Sequence, residues 1–349
     1  MTVREVLKEG SAALITAGLQ NANLDASLLL AEVLNMDRSS LIAAGNEVIT
    51  EESRAAFDSL IKRRLTGECI AYILGKKEFY GLEFQVNHSV LIPRPDTETL
   101  VETTIKELGC GESRMRNEGA AKAASGIEKQ PIYVLDLCTG SGAIAIALKH
   151  KMPEIEVWAT DISAEALEIA QINATRLLPN GKNIQFSQGD LYDALPVTFN
   201  NSSFLIPNSS FSSNSSFLIP NSSFSSNSSF LIPNSSFSSN SSFLIILSNP
   251  PYIPSAAITG LSPEVRMEPM IALDGGDDGL DIIRRIISRA PEFLCVGGSL
   301  LLEADPRQME PIALLLKEAG FSDIQTHNDL SGNERVISAR KAPFSGNHV

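Results

Sequence analysis

The chain has 349 residues, of which 43% are hydrophobic, and its formal net charge is −13 at pH 7. This length predicts two domains with a substantial core. The excess of acidic residues argues against binding to duplex nucleic acid, because such binding needs many lysines and arginines that contact the phosphates. An acidic surface suits a basic protein partner instead.

The cysteines, the histidines and the N-terminus bear on the compartment. No run of 18 apolar residues occurs, so we expect no membrane-spanning helix. Residues 1–10 are charged and lack the apolar core of a secretory signal. The histidines form no ligand-like cluster, and the cysteines lack C-x-x-C spacing, so we predict neither a metal site nor a disulfide framework. These features predict a cytoplasmic protein; the cysteines are Cys69, Cys110, Cys138 and Cys295.

Residues 1–75 are predicted to form a helical domain. Leucines recur on one face of Ala26–Met36, with Asp25 as the expected cap. Thr50 is expected to cap Glu51–Leu65, which has acidic residues in its first turn and basic residues in its last. Such a bundle either docks a partner protein or only stabilises the fold, and composition does not separate the two.

Residues 76–108 are predicted to connect this domain to the rest of the chain. A hairpin is expected at Glu78–Val86 with Gly81 near its turn, and a helix from Thr97 to Leu108. Residues 109–130 are rich in glycine, alanine, serine and charge, which predicts a flexible linker.

Strands and helices alternate over residues 131–341. This alternation predicts an α/β fold with a doubly wound sheet, and ligands are expected at the carboxyl ends of its strands. The predicted strands are Ile132–Leu137, Ile155–Thr160, Ile184–Ser187, Phe243–Leu247 and Ser299–Glu303, with closing strands at Phe321–His327 and Glu334–Arg340. The predicted helices are Gly142–Lys149, Ala164–Ala174, Gly279–Phe293 and Gln308–Ala319.

A small-residue loop joins the first of these strands to its helix. Its sequence is Cys138-Thr139-Gly140-Ser141-Gly142. Small residues allow a ligand to approach the backbone, and a helix N-terminus offers free N–H groups. Dinucleotide binding is one interpretation, but two glycines in place of the three of G-x-G-x-x-G make a pyrophosphate ligand less favoured.

An acidic residue, Asp161, ends the next strand. A carboxylate at this point of a βαβ unit is placed to accept hydrogen bonds from a ribose diol. The alternative is helix capping, because both Asp161 and Ser163 precede the helix at Ala164. The order of strand, loop, helix, strand and acid favours the ribose role.

A 13-residue unit, Asn-Ser-Ser-Phe-Leu-Ile-Pro-Asn-Ser-Ser-Phe-Ser-Ser, repeats in tandem within residues 201–245. Full copies begin at residues 201, 214 and 227, and a partial fourth begins at Asn240. We infer an in-frame tandem expansion at a surface turn, because the copies are identical. A solenoid is not expected, since units this short and polar do not build a layer. An inert, disordered loop is expected rather than a binding segment. The last copy should form the strand, since only it continues into Ile246 and Leu247.

A proline-rich corner, Asn249-Pro250-Pro251-Tyr252, follows that strand. Each proline fixes its own φ and pushes the preceding residue into an extended conformation. The stiff corner presents an amide and an aromatic ring, which together can hold a flat group such as an amide or an aminopurine. A simple strand-ending turn is the alternative, but the flanking asparagine and tyrosine favour a site.

Together, the corner, the small-residue loop and the acid resemble class I methyltransferases that use S-adenosylmethionine. A longer series of motifs is similar to one family, the bacterial peptide chain release factor glutamine N5-methyltransferases. The resemblance covers nearly the whole chain to about Arg340, apart from two insertions. Asn-Pro-Pro-Tyr alone is shared with adenine N6-methyltransferases. The motifs are Leu91–Glu98, Gly189–Leu191, Ser248–Tyr252, Glu268-Pro269, Ala272–Gly276, Asp278–Leu280 and Asp329–Arg335.

This resemblance implies methyl transfer to the side-chain amide nitrogen of a glutamine in the Gly-Gly-Gln motif of release factors. It implies that the Asn249 side-chain oxygen and the Pro250 carbonyl accept the two amide N–H bonds, beside Pro251, with Tyr252 packed against the amide plane. It also implies an antiparallel last strand and N-terminal helices that help to dock the substrate protein.

The resemblance also carries over the S-adenosylmethionine contacts, with Asp161 at the ribose, Leu191 beside the adenine and Asp136 supporting the loop. We expect a monomer whose partners are release factors, with no stable nucleic acid and no membrane. The cofactor contacts are Cys138, Thr139, Gly140, Ser141, Gly142, Asp161, Leu191 and Asn249.

Two departures from the family pattern stand out. Cys138 occupies a position where many members carry glycine, and we expect little cost unless the backbone there needs a positive φ. Residues 303–308 depart from the usual pattern of the family, and we expect them to leave Asn-Pro-Pro-Tyr untouched. The rival functions are methylation of another protein glutamine, such as one on a ribosomal protein, adenine N6-methylation of nucleic acid, and a scaffold disabled by its insertion.

Overall fold

The computed structural model describes residues 1–109, 131–179, 184–196 and 242–342. Most of the predicted linker at 109–130 and the three full repeat copies lie outside these ranges. Within them, no helix is long and apolar enough to cross a membrane.

The N-terminal region is a cluster of five helices. Thr2 caps the first helix through a capping box with Glu5, and Thr50 caps the fourth as predicted. Buried apolar side chains from these helices form a core of their own. The helices are α1 (Val3–Thr16), α2 (Ala22–Leu34), α3 (Arg38–Ala43), α4 (Glu51–Leu65) and α5 (Ile70–Leu74).

The predicted capping role of Asp25 is wrong. Asp25 lies inside α2, which begins after Asn21, and it is buried. Its carboxylate accepts a hydrogen bond from Nε of Arg64 in α4 at 2.8 Å. A buried carboxylate needs such a partner, so the acid belongs to the helix interface rather than to the helix end.

A hairpin and a helix connect this region to the sheet. Strands β1 (Lys76–Phe79) and β2 (Leu82–Gln85) pair antiparallel around Gly81, as predicted. A 3₁₀ turn at Pro95–Thr97 leads into helix α6, residues 98–109. The hairpin and α6 bury their apolar side chains against the same core cluster as the sheet.

Seven strands form the central sheet in the order β5-β4-β3-β6-β7-β9-β8. All pairs from β5 to β7 are parallel, and β9 runs antiparallel to both of its neighbours, so the last strand is antiparallel as predicted. The strands are β3 (Tyr133–Leu137), β4 (Glu156–Asp161), β5 (Ile184–Gln188), β6 (Phe243–Ser248), β7 (Leu294–Glu303), β8 (Phe321–Asn328) and β9 (Glu334–Lys341).

Helices cover both faces of the sheet. Apolar side chains of α11 and α12 pack on one face, and those of α6, α7 and α8 pack on the other. This is the predicted doubly wound α/β architecture. The helices are α7 (Ala143–Lys151), α8 (Ala164–Leu177), α9 (Ser255–Ile258), α10 (Pro263–Arg266), α11 (Asp281–Phe293) and α12 (Met309–Glu318).

The partial fourth repeat copy supplies the start of β6. Ile245 pairs in register with Val134 of β3, and Phe243 is fully buried. This confirms the prediction that the last copy forms the strand. The chain runs from β3 outward to β5 and then returns to β6, so the sheet reverses its winding between β3 and β6. Ligands of doubly wound sheets bind at the carboxyl ends of strands at such a reversal.

Candidate active site

A cavity lies at the carboxyl ends of β3, β4 and β6. Its walls bring together five residues that were predicted from separate motifs: Cys138, Gly140, Asp161, Leu191 and Asn249. Pro251 lines it as well. The predicted glycine loop, acid and proline corner therefore face one space.

The rest of the small-residue loop supports the cavity from behind. Thr139, Ser141 and Gly142 are not among the described residues that line it. The hydroxyl of Thr139 donates to buried Asp136 at 2.6 Å, which is the supporting role predicted for this acid, and burial raises the pKa of Asp136 to about 7. Gly142 has a φ of +78°, which favours glycine, and a Cβ there would crowd Ala170 of α8 at 3.1 Å.

Cys138 has a φ of +60°. The left-handed conformation is strained for a residue with a Cβ, by roughly 1 kcal/mol or more. The backbone at Cys138 therefore does adopt a positive φ, where the glycine that many family members carry would be unstrained. The expectation that cysteine costs little stability at this position is wrong. Cys138 keeps a half-buried side chain that packs against the core on the α11 face.

Asp161 ties the loop to the second strand. One carboxylate oxygen accepts the Gly140 N–H at 2.8 Å, and the other accepts the Ser163 N–H at 3.0 Å. Ser163, not Asp161, is the N-cap of α8, and its hydroxyl accepts the Ala166 N–H. Burial raises the pKa of Asp161. Each carboxylate oxygen can accept a further hydrogen bond, and Asp161 lines the cavity.

The backbone of the proline corner is held by the glycine-rich motif that follows it. Ile253 donates to Leu273 and accepts from Gly275, at 3.0 and 2.9 Å. A Cβ at Gly275 would lie 2.8 Å from Tyr252 Cα, and one at Gly279 would overlap the Tyr252 carbonyl. These positions need glycine because two stretches of backbone touch.

A buried polar network lies directly behind Asn249 and Tyr252. Nδ2 of Asn249 donates to the Thr97 hydroxyl at 3.1 Å. The Glu303 carboxyl lies near the hydroxyls of Thr97 and Tyr252, and nearby Arg335 favours its charged form. Glu303 is only 1% exposed, and burial raises its pKa to about 7.

The segment 303–308 contacts the proline corner, so the prediction that this segment leaves the corner untouched is wrong. Besides Glu303, Gln308 donates from Nε2 to the Tyr252 carbonyl at 2.9 Å. The reason is register: Ser248 at the end of β6 pairs with Leu302 at the end of β7. Residues after either strand must therefore meet.

Two ion pairs join the remaining motifs to the same corner. Arg335 lies 3.2 Å from Asp96. Arg94 pairs with buried Glu268, which also accepts the Ile92 N–H. The motifs around residues 91–98, 268 and 329–335 are thus neighbours in space, although some 240 positions separate the first from the last.

Sequence reasoning missed Thr97, Glu303 and Gln308 as members of the site. Glu303 carried a usable signal, since it is a carboxylate at the carboxyl end of a predicted parallel strand, as Asp161 is. Thr97 carried no such signal in the sequence, because it lies in a turn whose position relative to the sheet depends on the tertiary fold.

Comparison with known proteins agrees with this arrangement. Family models described as the PrmC N-terminal domain and as a methyltransferase domain match residues 5–75 and 134–214. The chain is 33% identical to the release factor glutamine methyltransferase of Deinococcus radiodurans, over 98% of this chain and 99% of that protein. It is 34% identical to that of Geobacter sulfurreducens (97% and 96%) and 35% identical to that of Bradyrhizobium diazoefficiens (95% and 93%). The chain therefore belongs to the release factor glutamine methyltransferase family.

Proposed function

We propose that this protein transfers a methyl group from S-adenosylmethionine to the side-chain amide nitrogen of a glutamine in the Gly-Gly-Gln motif of peptide chain release factors. The observation that carries the proposal is that Asn249 of the proline corner and the loop residues Cys138 and Gly140 line one cavity. Membership of the family favours this function over a ribosomal-protein glutamine or a nucleic-acid adenine.

The cavity suits the proposed cofactor. Asp161 offers carboxylate oxygens for a ribose diol, and Leu191 and Ile162 offer apolar surface for an adenine. A Cβ at Gly140 would meet nothing within 4 Å, so the loop leaves open space on its cavity side. When bound, S-adenosylmethionine supplies a methyl group activated by a positively charged sulfur. Thr139, Ser141 and Gly142 would shape the loop, while Cys138, Gly140, Asp161, Leu191 and Asn249 would touch the cofactor.

The proline corner would hold the substrate amide. A glutamine amide nitrogen is a poor nucleophile, because its lone pair is delocalised into the carbonyl group. Asn249 Oδ1 and the Pro250 carbonyl would accept its two N–H bonds, with Pro251 as a wall and Tyr252 against the amide plane. Two acceptors fix the nitrogen in line with the methyl group and stabilise the positive charge that develops on it. The proton would leave after transfer, without a dedicated base.

The parts of the chain would divide the work. Residues 1–75 would help to dock the release factor, and residues 131–341 would carry out methyl transfer. Residues 76–108 and the linker at residues 109–130 would join these two parts of the chain. We propose a cytoplasmic monomer that forms no stable complex with nucleic acid or membranes. The net charge of −13 supports a basic protein surface as its partner.

A direct assay tests the function. Radiolabelled S-adenosylmethionine is offered with purified release factors, ribosomal proteins and DNA in parallel reactions. We expect label on the release factor alone, located by mass spectrometry at the glutamine of Gly-Gly-Gln. Label on DNA or on a ribosomal protein in preference to the release factor would replace the proposal with the corresponding alternative.

A further inference from the structure

A buried hydroxyl at the carboxyl end of β4 has no hydrogen-bond partner among the described residues. It belongs to Thr160, which is fully buried, and no polar group in those parts of the chain bonds its Oγ1. The Thr160 backbone carbonyl accepts the Thr139 N–H at 3.0 Å, so the main chain helps to hold the cavity loop while the side-chain oxygen remains for another partner. Burial of a hydroxyl without a hydrogen bond is costly, so this group calls for an explanation.

Thr160 is also one of the residues that line the active-site cavity. It immediately precedes Asp161, whose carboxylate is proposed for the ribose diol, and the cavity wall continues through Ile162. Side chains alternate between the two faces of a strand, and Trp158, two positions earlier, belongs to the core cluster that contains Leu191. Thr160 therefore points to the face of the sheet on which the residue proposed for the adenine lies.

The strand order places this hydroxyl away from the proline corner. Strand β4, which carries Thr160, is separated by β3 from β6, and Asn249 follows the end of β6. Neighbouring strands lie about 4.8 Å apart, so the ends of β4 and β6 are roughly 10 Å apart. The part of the cavity beside Thr160 is therefore the part proposed for ribose and adenine, and not the part where the methyl group meets the substrate amide.

We propose that the Thr160 hydroxyl is a further binding group for the cofactor and forms one hydrogen bond with its adenosine part. Adenosine offers ring nitrogens and ribose hydroxyls, and a threonine hydroxyl can either donate or accept. A hydrogen bond to bound adenosine satisfies a buried group that the described part of the protein leaves unpaired. This inference rests on the proposed function, because it needs S-adenosylmethionine in this cavity, and it names a contact that the sequence motifs did not predict.

Direct binding measurements test the contact. Thr160→Val replaces the hydroxyl by a methyl group of similar size. Isothermal titration gives the Kd for S-adenosylhomocysteine and for 5′-methylthioadenosine, which lacks the amino-acid part. We expect both Kd values to rise by about 5-fold or more, because each ligand loses the same bond. Thr160→Ser keeps the hydroxyl and should bind both ligands within about 2-fold of wild type.

The stability of the free protein provides a second readout. A buried hydroxyl without a partner can be replaced by a methyl group at little or no cost, so Thr160→Val should unfold at the wild-type Tm or above it. Thr104 is the matched control, because it is also fully buried and its hydroxyl donates to the Leu100 carbonyl at 2.8 Å. Thr104→Val should lower the Tm and leave both Kd values unchanged.

These outcomes separate the contact from the proposed function. Wild-type protein that binds neither ligand contradicts the cofactor assignment, and this inference with it. If wild type binds both ligands and Thr160→Val binds them as tightly, the inference is refuted and the proposed function stands. A Tm of Thr160→Val as low as that of Thr104→Val also refutes the inference, since the hydroxyl then has a partner within the protein. Affinity lost for S-adenosylhomocysteine but kept for 5′-methylthioadenosine rules out the adenosine part as the partner.

Discussion

The guanidinium of Arg64 lies 2.9 Å from the Glu264 carboxylate and 2.8 Å from that of Asp25. Arg64 belongs to the N-terminal helix α4, whereas Glu264 lies in α10, beyond the proline corner. The side chain is 7% exposed, so this ion pair fastens the N-terminal helices to the segment that borders the active site.

Removal of this guanidinium should destabilise the fold. Arg64→Met leaves Asp25 buried without a counter-charge, and a broken buried pair typically costs about 3 kcal/mol or more. Urea denaturation measures the loss. Arg54→Met is the matched control, since Arg54 pairs with the exposed carboxylates of Glu9 and Asp58 and should cost at most about 1 kcal/mol. Equal losses for the two variants would contradict the assignment.

Asn249→Ala should separate binding from chemistry. We expect the Kd for S-adenosylmethionine to stay within a few-fold of wild type, because the loop and Asp161 are untouched. Methyl transfer should fall by two orders of magnitude or more, because an acceptor that orients the amide is lost. Isothermal titration and single-turnover assays provide the two measurements. Equal transfer by variant and wild type would falsify the clamp.

The strained φ of Cys138 predicts an inverted order of stability. At a site with φ near +60°, glycine carries no Cβ strain, so Cys138→Gly should be more stable than Cys138→Ala by about 0.5–1 kcal/mol. Cys295 lies inside β7, where glycine is the worse residue, so the same pair of substitutions there should show the opposite order. Thermal or urea denaturation of the four variants decides the matter, and the same order at both sites would be inconsistent with strain at Cys138.

The pKa of Glu303, raised by burial to about 7, predicts a pH-dependent stability. The folded state keeps this proton up to about pH 7, whereas the unfolded state loses it near the ordinary glutamate pKa of about 4.3. The stability that protonated Glu303 contributes is therefore present below about pH 4 and is lost as the pH rises through 7, in total on the order of 3 kcal/mol.

Glu303→Gln removes this ionisation. Its free energy of unfolding relative to wild type should increase between pH 5 and pH 8, as measured in urea at both values. Asp305→Asn is a suitable control, because partners hold the pKa of Asp305 below its usual range and that group does not titrate across this window. A constant difference between Glu303→Gln and wild type would mean that Glu303 is ionised throughout.

Deletion of residues 207–245 should leave activity within 2-fold of wild type. The deletion removes three repeat units and joins Ile206 to Ile246, which regenerates the sequence Phe-Leu-Ile-Ile-Leu before the proline corner. The product therefore keeps the residues that form β6. A deletion variant that folds, as judged by circular dichroism, but no longer methylates would show that the repeats contribute to the reaction.

Local patterns predicted most of the fold. Thr50 and the helix Glu51–Leu65 were found to the residue, because a threonine cap and an acidic first turn act within a few positions. The strand Phe243–Leu247 was one residue short of β6. Strand β7 was the larger miss, because Gly297 and Gly298 interrupt the pattern that predicts strands, and its first half pairs through a bulge.

The site was predictable where a motif carried its own chemistry. Asn249 and Asp161 were found because an amide or an acid at a strand end suggests a ligand. Thr97, Glu303 and Gln308 were not found, since their roles arise from tertiary contacts between the ends of β6 and β7 and the turn before α6. The positive φ of Cys138 was not predicted for a related reason: the pattern of side chains in a sequence does not report the backbone conformation of a single loop residue.

The polar groups behind the corner come from distant parts of the chain, with Thr97 before it and Glu303 and Arg335 after it. On a ribosome, a chain of this kind emerges from its N-terminus, and the cavity loop and Asn249 leave the exit tunnel before Arg335 does. The nascent chain therefore carries every residue proposed to touch cofactor or substrate before Glu303, Gln308 and Arg335 have been made. We expect methylating capacity to appear only after synthesis has passed the final strand.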